Sequence, residues 1–227
     1  MNVLVACEES QRVCTAFREK GHNAFSCDIL PCSGGHPEWH IMCDVLKILN
    51  PSMGYESTEP EIIFHTMTGI PVRINKWDLI IAHPPCTYLS NAGARWLYAG
   101  GELNTERYRK GLEGKEFFMA MLNADCPRIA VENPIPSSIY GLPEYSQIIQ
   151  PYYFGEPWSK KTCLWLKGLD ILQPTDIVMD HKPYCSSGSY SGTHDPKYKG
   201  ASRKGGSAKI RSKTFWGIAR AMADQWG

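Results

Sequence analysis

Short apolar runs alternate with amphipathic stretches through the first part of the chain. Val3 to Ala6 is such a run, and Ala24 to Cys27 is the next. Between them, Ser10 can cap a helix that reaches Lys20 and carries apolar side chains three and four positions apart. A strand, a helix and a second strand in so short a span predict a βαβ unit within a parallel sheet. A further short element around His40 to Cys43 continues the pattern.

The pattern changes beyond residue 50. Residues 51–76 are punctuated by glycine and proline, so Glu61 to Phe64 and Val72 to Ile74 are predicted to pair as a hairpin off the main sheet. Strand and helix signals then resume, which favours an α/β protein with a mostly parallel central sheet flanked by helices. The predicted elements are a strand opened by Asp78, a helix from Tyr108 to Asn123, strands at Ile129 to Val131, Ile148 to Phe154 and Thr162 to Leu166, and a helix from Thr214 to Trp226.

Composition narrows the class of protein. The 227 residues, 43% of them apolar, are enough for one domain with its own core. Lys and Arg number 24 against 23 acids, so a nucleic-acid contact would need a local basic patch. The nine cysteines are scattered, odd in number and preceded by no signal peptide, which favours a cytoplasmic protein with reduced thiols. No apolar run approaches the roughly 20 residues of a membrane helix.

Two predicted strands each end in a chemically active side chain. One leads into His83-Pro84-Pro85-Cys86-Thr87 and the other into Glu132-Asn133-Pro134. In open α/β sheets, such strand ends line the ligand crevice. A thiolate that adds to C6 of a pyrimidine makes C5 nucleophilic, provided that an acid stabilises the charge at N3. We therefore predict Cys86 as a nucleophile and Glu132 as the acid, against the alternative of a buried structural cysteine.

The chain resembles a small, phage-type member of the cytosine-C5 DNA methyltransferase family. Pro85-Cys86 matches the Pro-Cys motif that carries the family's nucleophile, and Glu132-Asn133 matches its Glu-Asn-Val motif, with Pro134 in place of valine. The resemblance covers residues 1–167 and 211–227. It implies a Rossmann-like methyltransferase fold, S-adenosylmethionine as cofactor and DNA as partner. It also implies that Lys161 takes the place of an arginine that touches the pyrimidine carbonyl.

The resemblance places the cofactor at the ends of the first strands. Asp28 falls where an acidic residue binds the ribose, and Asp44 where an aspartate binds the adenine amino group. The family's Phe-x-Gly-x-Gly loop is here Ala6-Cys7-Glu8-Glu9-Ser10-Gln11, which has no glycine. Helix N–H groups could still bind a carboxylate there. The implied cofactor-binding residues are Ala6, Cys7, Glu8, Ser10, Asp28, Ile29, Asp44, Val45 and Pro85.

Residues 168–210 are predicted to form a short basic target-recognition or lid segment, separate from a catalytic domain of residues 1–167 plus 211–227. Lysines, arginines and tyrosines interleave there, which suits phosphate contacts and base stacking. The alternative is a solvated linker. The implied substrate-binding residues are Pro84, Thr87, Asn133, Arg95, Lys197, Arg203 and Arg211.

Further alternatives stay open from the sequence. Cys27, Cys32, His36, His40 and Cys43 crowd one region but lack paired Cys-x-x-Cys spacing, so no metal is expected. The same chemistry could act on single-stranded nucleic acid or a free pyrimidine nucleotide. The glycine-free loop also leaves room for a catalytically inactive, nucleic-acid-binding relative.

Overall fold

A seven-stranded sheet forms the centre of the protein. The computed structural model describes residues 1–53, 60–94, 96–99, 101–184 and 211–227. The strands of the central sheet are β1 (Asn2–Ala6), β2 (Asn23–Asp28), β3 (His40–Met42), β7 (Leu79–Ala82), β10 (Ile129–Pro134), β11 (Gln147–Ile149) and β13 (Thr162–Lys167). Their order across the sheet is β11–β13–β10–β7–β1–β2–β3, and all neighbours are parallel except at β13, which runs antiparallel to β10 and β11.

Shorter strands and the helices surround this sheet. A three-stranded sheet consists of β4 (Ser52–Met53), β5 (Pro60–His65) and β6 (Pro71–Ile74). One two-stranded sheet consists of β8 (Tyr98–Ala99) and β9 (Glu102–Leu103). Another consists of β12 (Trp158–Ser159) and β14 (Lys182–Pro183). The α helices are α1 (Arg12–Glu19), α2 (Asn91–Ala94), α3 (Thr105–Leu122) and α4 (Trp216–Trp226). No helix among the described residues combines the length and apolarity needed to cross a bilayer.

The strand order confirms the predicted Rossmann-like α/β fold. Counted along the chain, the seven strands lie in the order 3-2-1-4-5-7-6, with the seventh antiparallel. The order reverses between β1 and β7. At such a reversal, the loops after neighbouring strands diverge to opposite faces and leave a crevice beyond the carboxyl ends of the strands. The predicted hairpin of β5 and β6 is also confirmed, with Ile62 opposite Ile74.

Side chains of β1 alternate between two apolar cores. Val3 and Val5 pack with α1 and α4 on one face of the sheet, and Leu4 packs with α3 and the hairpin on the other. The side chains of Val3, Leu4 and Val5 are fully buried. Strands covered on both faces in this way read as continuous apolar runs, which is the pattern of the sequence.

Two local predictions were wrong. Ser10 does not cap α1: the N-cap residue is Gln11, and its side chain makes no capping hydrogen bond. The predicted strand from Ile148 to Phe154 ends early, because a 3-10 turn begins at Pro151. Proline has no N–H group to donate to a sheet and suits the first position of a helical turn.

Candidate functional site

Three neighbouring strands bring ionisable side chains to one edge of the sheet. Glu8 follows β1, His83 directly follows β7, and Glu132 lies within β10. These strands are adjacent, in the order β10–β7–β1. The edge is the carboxyl end of all three, where α/β proteins bind ligands. Cys86 lies three residues beyond His83, so Cys86 and Glu132, two of the residues predicted for catalysis, lie at the carboxyl ends of neighbouring strands.

Hydrogen bonds join the segment that carries Cys86 to the segment that follows Glu132. The side-chain amide of Asn133 is buried and donates to the Pro84 carbonyl oxygen at 3.0 Å. Ser90 and Pro136 form an antiparallel bridge. Further backbone bonds join Asn91 N–H to the Ile135 carbonyl at 3.0 Å and Ser137 N–H to the Leu89 carbonyl at 2.7 Å. The thiol-bearing turn is therefore fixed relative to β10.

The Cys86 thiol shares its electrostatic environment with three charged groups. The side chain is half-buried, and burial together with the negative charge of Glu132 raises the pKa of Cys86. The positive charges of Lys160 and Arg211 act in the opposite direction without reversing the shift. The thiol is therefore protonated at neutral pH. Loss of the charge on Glu132 would favour the thiolate, because one cause of the raised pKa would disappear.

A histidine that the sequence analysis left without a role pairs with Glu132. Nδ1 of His83 lies 2.8 Å from Oε2 of Glu132, and the two side chains are only 8% and 15% exposed. Burial opposes the charge on both groups, but their hydrogen bond and mutual attraction prevail, so the pKa of Glu132 is lowered and that of His83 is raised. The signal in the sequence was a histidine directly after a buried strand, one position before Pro84.

Lys160, rather than Lys161, provides the positive charge beside these groups. Its charge acts on Cys86, His83 and Glu132, whereas the side chain of Lys161 is exposed. The Lys160 ammonium donates to the Arg211 carbonyl oxygen at 2.9 Å. The catalytic role of Lys161 stays a prediction.

The last described segment of the chain closes one side of the site. Arg12 of α1 donates to the Thr214 carbonyl oxygen at 2.8 Å, and Lys213 donates to Ser33 Oγ at 3.0 Å. Because Lys160 also bonds to residue 211, this segment crosses the loops after β1, β2 and β12. It borders a small cavity of about 10 Å³, which is lined by Glu132, Ile149, Lys160, Thr162, Thr214, Phe215, Ile218 and Met222.

The ends of β2 and β3 suit the adenosine part of a nucleotide-like ligand. Burial raises the pKa of Cys7 to about 12, and the negative charges of the nearby Asp28 and Asp44 contribute to this rise. Each aspartate also accepts a hydrogen bond from the backbone two residues on. Ile29 is 75% exposed beside them. The two carboxylates could accept hydrogen bonds from hydroxyl or amino groups, and the exposed Ile29 side chain could pack against a ring. Adenosine offers both kinds of group.

The loop after β1 keeps an unusual backbone without glycine. Cys7 and Gln11 adopt positive φ angles of 59° and 60°. Non-glycine residues there are strained and are held by surrounding contacts. Those contacts come from the Gly34 region: the Gln11 amide donates to the His36 carbonyl oxygen at 2.8 Å, and a Cβ on Gly34 would lie 2.5 Å from Gln11 Cβ. The sequence resemblance places the family's glycine-rich loop at these residues.

Glu8 binds the N-terminus of α1, where a ligand carboxylate was considered. Its carboxylate accepts hydrogen bonds from Val13 N–H at 2.7 Å and Cys14 N–H at 3.2 Å. Burial raises the pKa of Glu8, against the opposing effects of His83 and of these bonds. The free N–H groups of the helix are thus already occupied. An ammonium group of a ligand would fit beside Glu8 better than a carboxylate.

The remaining predicted residues divide by exposure. The side chains of Ala6 and Val45 are buried in the core and that of Ser10 is nearly so, whereas Pro85 and Thr87 are exposed on either side of Cys86. Arg95, Lys197 and Arg203 lie outside the described residues, as does most of the segment 168–210, so its division from the catalytic domain stays a prediction. Leu172 of that segment is fully buried.

The cysteine- and histidine-rich region is held by hydrogen bonds. His40 Nδ1 lies 2.8 Å from Ser26 Oγ, and its Nε2 lies 2.9 Å from the Leu30 carbonyl oxygen, so both ring nitrogens are engaged. Cys27 and Cys43 Sγ atoms lie 3.9 Å apart. Within the described ranges, no three His, Cys, Asp or Glu side chains are grouped to hold a metal ion.

Comparisons with known proteins are sparse. No protein-family model matches the chain, and no curated protein matches it either. One similar solved structure is a protein encoded within an Escherichia coli prophage and described as a DNA modification methyltransferase; the identity is 15%, the TM-score 0.44, and the match covers 81% of this chain and 53% of that one.

A second similar structure is the methyltransferase EhMeth of Entamoeba histolytica. Its identity is 13% and its TM-score 0.40, and the match covers 82% of this chain and 60% of that one. The chain thus spans little more than half the length of either protein. At such low identities and TM-scores, these likenesses carry no argument about activity, which has to come from the site.

Proposed function

We propose that the protein transfers a methyl group from S-adenosylmethionine to C5 of cytosine in DNA, through a covalent bond between Cys86 Sγ and C6. The observation that carries this proposal is the position of Cys86 and Glu132 at the carboxyl ends of neighbouring strands, in segments joined by the bond from Asn133 to Pro84. A thiol and a carboxylate held together at the ligand edge suit attack on a pyrimidine. C5 and C6 are shielded in a duplex, so the target base would be flipped out.

Three side chains have separate roles in the proposed reaction. Cys86 adds to C6, and Glu132 binds the N3 edge of the base and stabilises the charge that develops there. The charge of Lys160 acts on both Cys86 and Glu132, so Lys160 is the candidate partner for the pyrimidine carbonyl, as a point charge without the fork of arginine. After methyl transfer, loss of the C5 proton expels Cys86 and restores the aromatic ring.

The methyl donor would lie against the ends of β1, β2 and β3. Asp28 would accept from the ribose hydroxyls, Asp44 from the adenine amino group, and Ile29 would cover a face of the ring. Glu8, fixed on the α1 N-terminus, would face the ammonium group. When bound, S-adenosylmethionine supplies a methyl group on a sulfonium, which an electron-rich C5 can accept.

A trapping experiment tests the reaction. Duplex DNA that contains 5-fluorocytosine should form a covalent adduct with the protein in the presence of S-adenosylmethionine, because fluorine cannot leave as a cation. Intact-mass spectrometry should detect the adduct, and peptide mapping should assign it to Cys86. Cys86→Ser should form none while it binds the donor with unchanged affinity. An active enzyme that methylates cytosine without an adduct at Cys86 would refute the mechanism.

A methyl-transfer assay tests which form of cytosine is the substrate. Labelled donor is supplied with duplex DNA, single-stranded DNA or dCMP at equal concentrations of cytosine. We propose duplex DNA as the best substrate. Faster methylation of dCMP or single strands would assign the protein to the alternative substrate class while it leaves the chemistry of Cys86 in place.

One observation favours a second candidate, a nucleic-acid-binding relative without catalysis. The α1 N–H groups already carry Glu8, and the strained loop leaves no glycine for close approach of a ligand. Calorimetry with S-adenosylmethionine separates the two. A folded protein that binds DNA but shows no heat with the donor would support the inactive relative and oppose the methyltransferase.

A further inference from the structure

The acid of the site lacks the proton that its proposed role requires. Addition of sulfur to C6 builds negative charge at N3, and a proton must reach that nitrogen. Glu132 is hydrogen-bonded to His83 and ionised, so its carboxylate has none to give. An ionised carboxylate is only an acceptor, so the hydrogen in the 2.8 Å contact belongs to Nδ1 of His83.

Among the described residues, the His83 ring has one side-chain hydrogen-bond partner to which it can give that proton. The side chain is 8% exposed, and its other ring nitrogen, Nε2, is buried without a hydrogen-bond partner among the described residues. Nδ1 therefore makes the only side-chain hydrogen bond that the ring has within the described part of the chain, and it points to Glu132. Transfer along a single short bond needs no movement of either side chain.

Two neighbouring carboxylates favour a protonated ring. Glu132 of β10 and Glu8 of the loop after β1 both stabilise the imidazolium, and Lys160 of the turn before β13 opposes it. Burial also opposes it, yet the pKa of His83 remains raised. The two carboxylates belong to β10 and to the loop after β1, the strands on either side of β7, and their charges explain why the imidazolium persists in a buried position.

We propose that His83 is the proton source of the site and supplies, through Glu132, the proton that N3 takes up as Cys86 adds to C6. This inference rests on the proposed function. His83 contacts no reacting atom and is a positioning residue. Its position one residue before the Pro-Pro-Cys turn links proton delivery to the same turn that carries the sulfur.

The step conserves atoms and charge. Cys86 loses its thiol proton to solvent, the S–C6 bond forms, and the electron pair of the C5–C6 double bond moves towards N3. Glu132 delivers a proton to N3 while Nδ1 of His83 gives its own to Glu132, which leaves a neutral imidazole. After C5 has gained the methyl group and lost its proton to water, the S–C6 bond breaks, and the N3 proton returns by the same route.

A glutamine at position 83 separates proton supply from structural support. His83→Gln retains an N–H donor for Glu132 but has no proton to release. The readout is the single-turnover rate of adduct formation with 5-fluorocytosine DNA, together with DNA affinity. We expect a loss on the order of 100-fold or more in the rate, since general acids contribute about that much, with unchanged affinity. The matched control, His65→Gln, lies on the exposed hairpin and should react like the wild type.

The two possible failures are distinguishable. If the wild type forms no adduct, the proposed function fails. If the wild type reacts and His83→Gln reacts equally fast, the function stands and the role of His83 is refuted.

A spectroscopic measurement decides the matter even if His83→Gln does not fold. In ¹⁵N-labelled wild type at pH 7, the ring nitrogens of His83 should give the shifts of an imidazolium. Glu132→Gln should move them to those of a neutral ring, because the main stabilising charge is gone. A neutral His83 ring in the wild type at pH 7 would overturn the inference, since no proton would be available to give.

Discussion

Asn133 holds Pro84 across the two strands that carry the candidate catalytic residues. Its amide nitrogen lies 3.0 Å from the Pro84 carbonyl oxygen, and its side chain is buried. Glu132 and Cys86 each lie within two residues of this bond. The distance between sulfur and carboxylate therefore depends on one side-chain hydrogen bond, as well as on the backbone bonds between the loops.

Replacement of Asn133 by aspartate should damage both stability and catalysis. The carboxylate cannot donate to the Pro84 carbonyl, and a buried acceptor would face another acceptor. We expect the free energy of unfolding to fall by about 1–3 kcal/mol, as for other unsatisfied buried groups. The rate of adduct formation at Cys86 should fall by more than the loss of folded protein explains. Urea unfolding and the trapping assay measure the two effects. Asn104→Asp, at the exposed N-cap of α3, is the control and should weaken neither, because aspartate retains the acceptor for Arg107 N–H.

Gly93→Ala should displace the turn that carries Cys86. A Cβ at this position would lie 2.1 Å from the Thr87 carbonyl oxygen, so the backbone next to Cys86 has to move. We expect a loss of activity on the order of 100-fold, the effect of a displacement of about 1 Å. Gly114→Ala is the matched control, because its Cβ would lie 3.6 Å from Leu89 Cγ, an ordinary contact. Equal methylation rates for the two variants would contradict the prediction.

Glu132→Gln should make Cys86 more reactive towards iodoacetamide at pH 8. The negative charge of Glu132 is a cause of the raised pKa of Cys86, second to burial, so its removal lowers that pKa and increases the thiolate fraction. Peptide mass spectrometry follows the alkylation of Cys86, with Cys32 as an internal reference. Glu116→Gln, on the exposed side of α3, should leave the rate unchanged. A slower reaction in Glu132→Gln would show that the two groups do not interact as described.

The ion pair of His83 and Glu132 should stabilise the fold within a limited pH range. The raised pKa of His83 gives a contribution that is complete below the ordinary value of 6.5 and is lost as pH rises through the folded-state pKa. The lowered pKa of Glu132 gives one that is complete above 4.5 and is lost as pH falls through its folded-state pKa. The pair therefore contributes most between these two values.

Urea unfolding at several pH values checks this range. Removal of one partner of a buried pair costs about 3 kcal/mol. We expect the difference in unfolding free energy between wild type and His83→Gln to be largest near pH 5.5 and to shrink at pH 8.5. His65→Gln should show no such dependence. A difference that grows with pH would have the wrong sign and would exclude a charged His83 in the folded state.

The sequence allowed the fold to be predicted, together with the position of Cys86 and Glu132 at the carboxyl edge of the sheet. Strands buried on both faces are continuous apolar runs, and the first polar residue after such a run marks the carboxyl edge of the sheet. Cys86 and Glu132 follow two such runs, which proved to be neighbours. The hairpin of β5 and β6 was predicted by the same kind of local signal, with glycine and proline at its boundaries.

Contacts between distant segments could not be predicted in this way. Lys160 and Lys161 are adjacent, and the choice between them depends on the path of the turn between β12 and β13. The capping of α1 by Glu8 depends on a strained backbone at Cys7 and Gln11, which propensities for the N-cap residue do not reveal. The pairing of His83 with Glu132 joins residues 49 positions apart and needs the strand order.

The bonds from Arg12 to Thr214 and from Lys213 to Ser33 join residues 202 and 180 positions apart. Closing loops of this length costs conformational entropy, which the rest of the fold has to offset. One side of the proposed site therefore depends on residues 211–227, which are remote in sequence from the loops that they join.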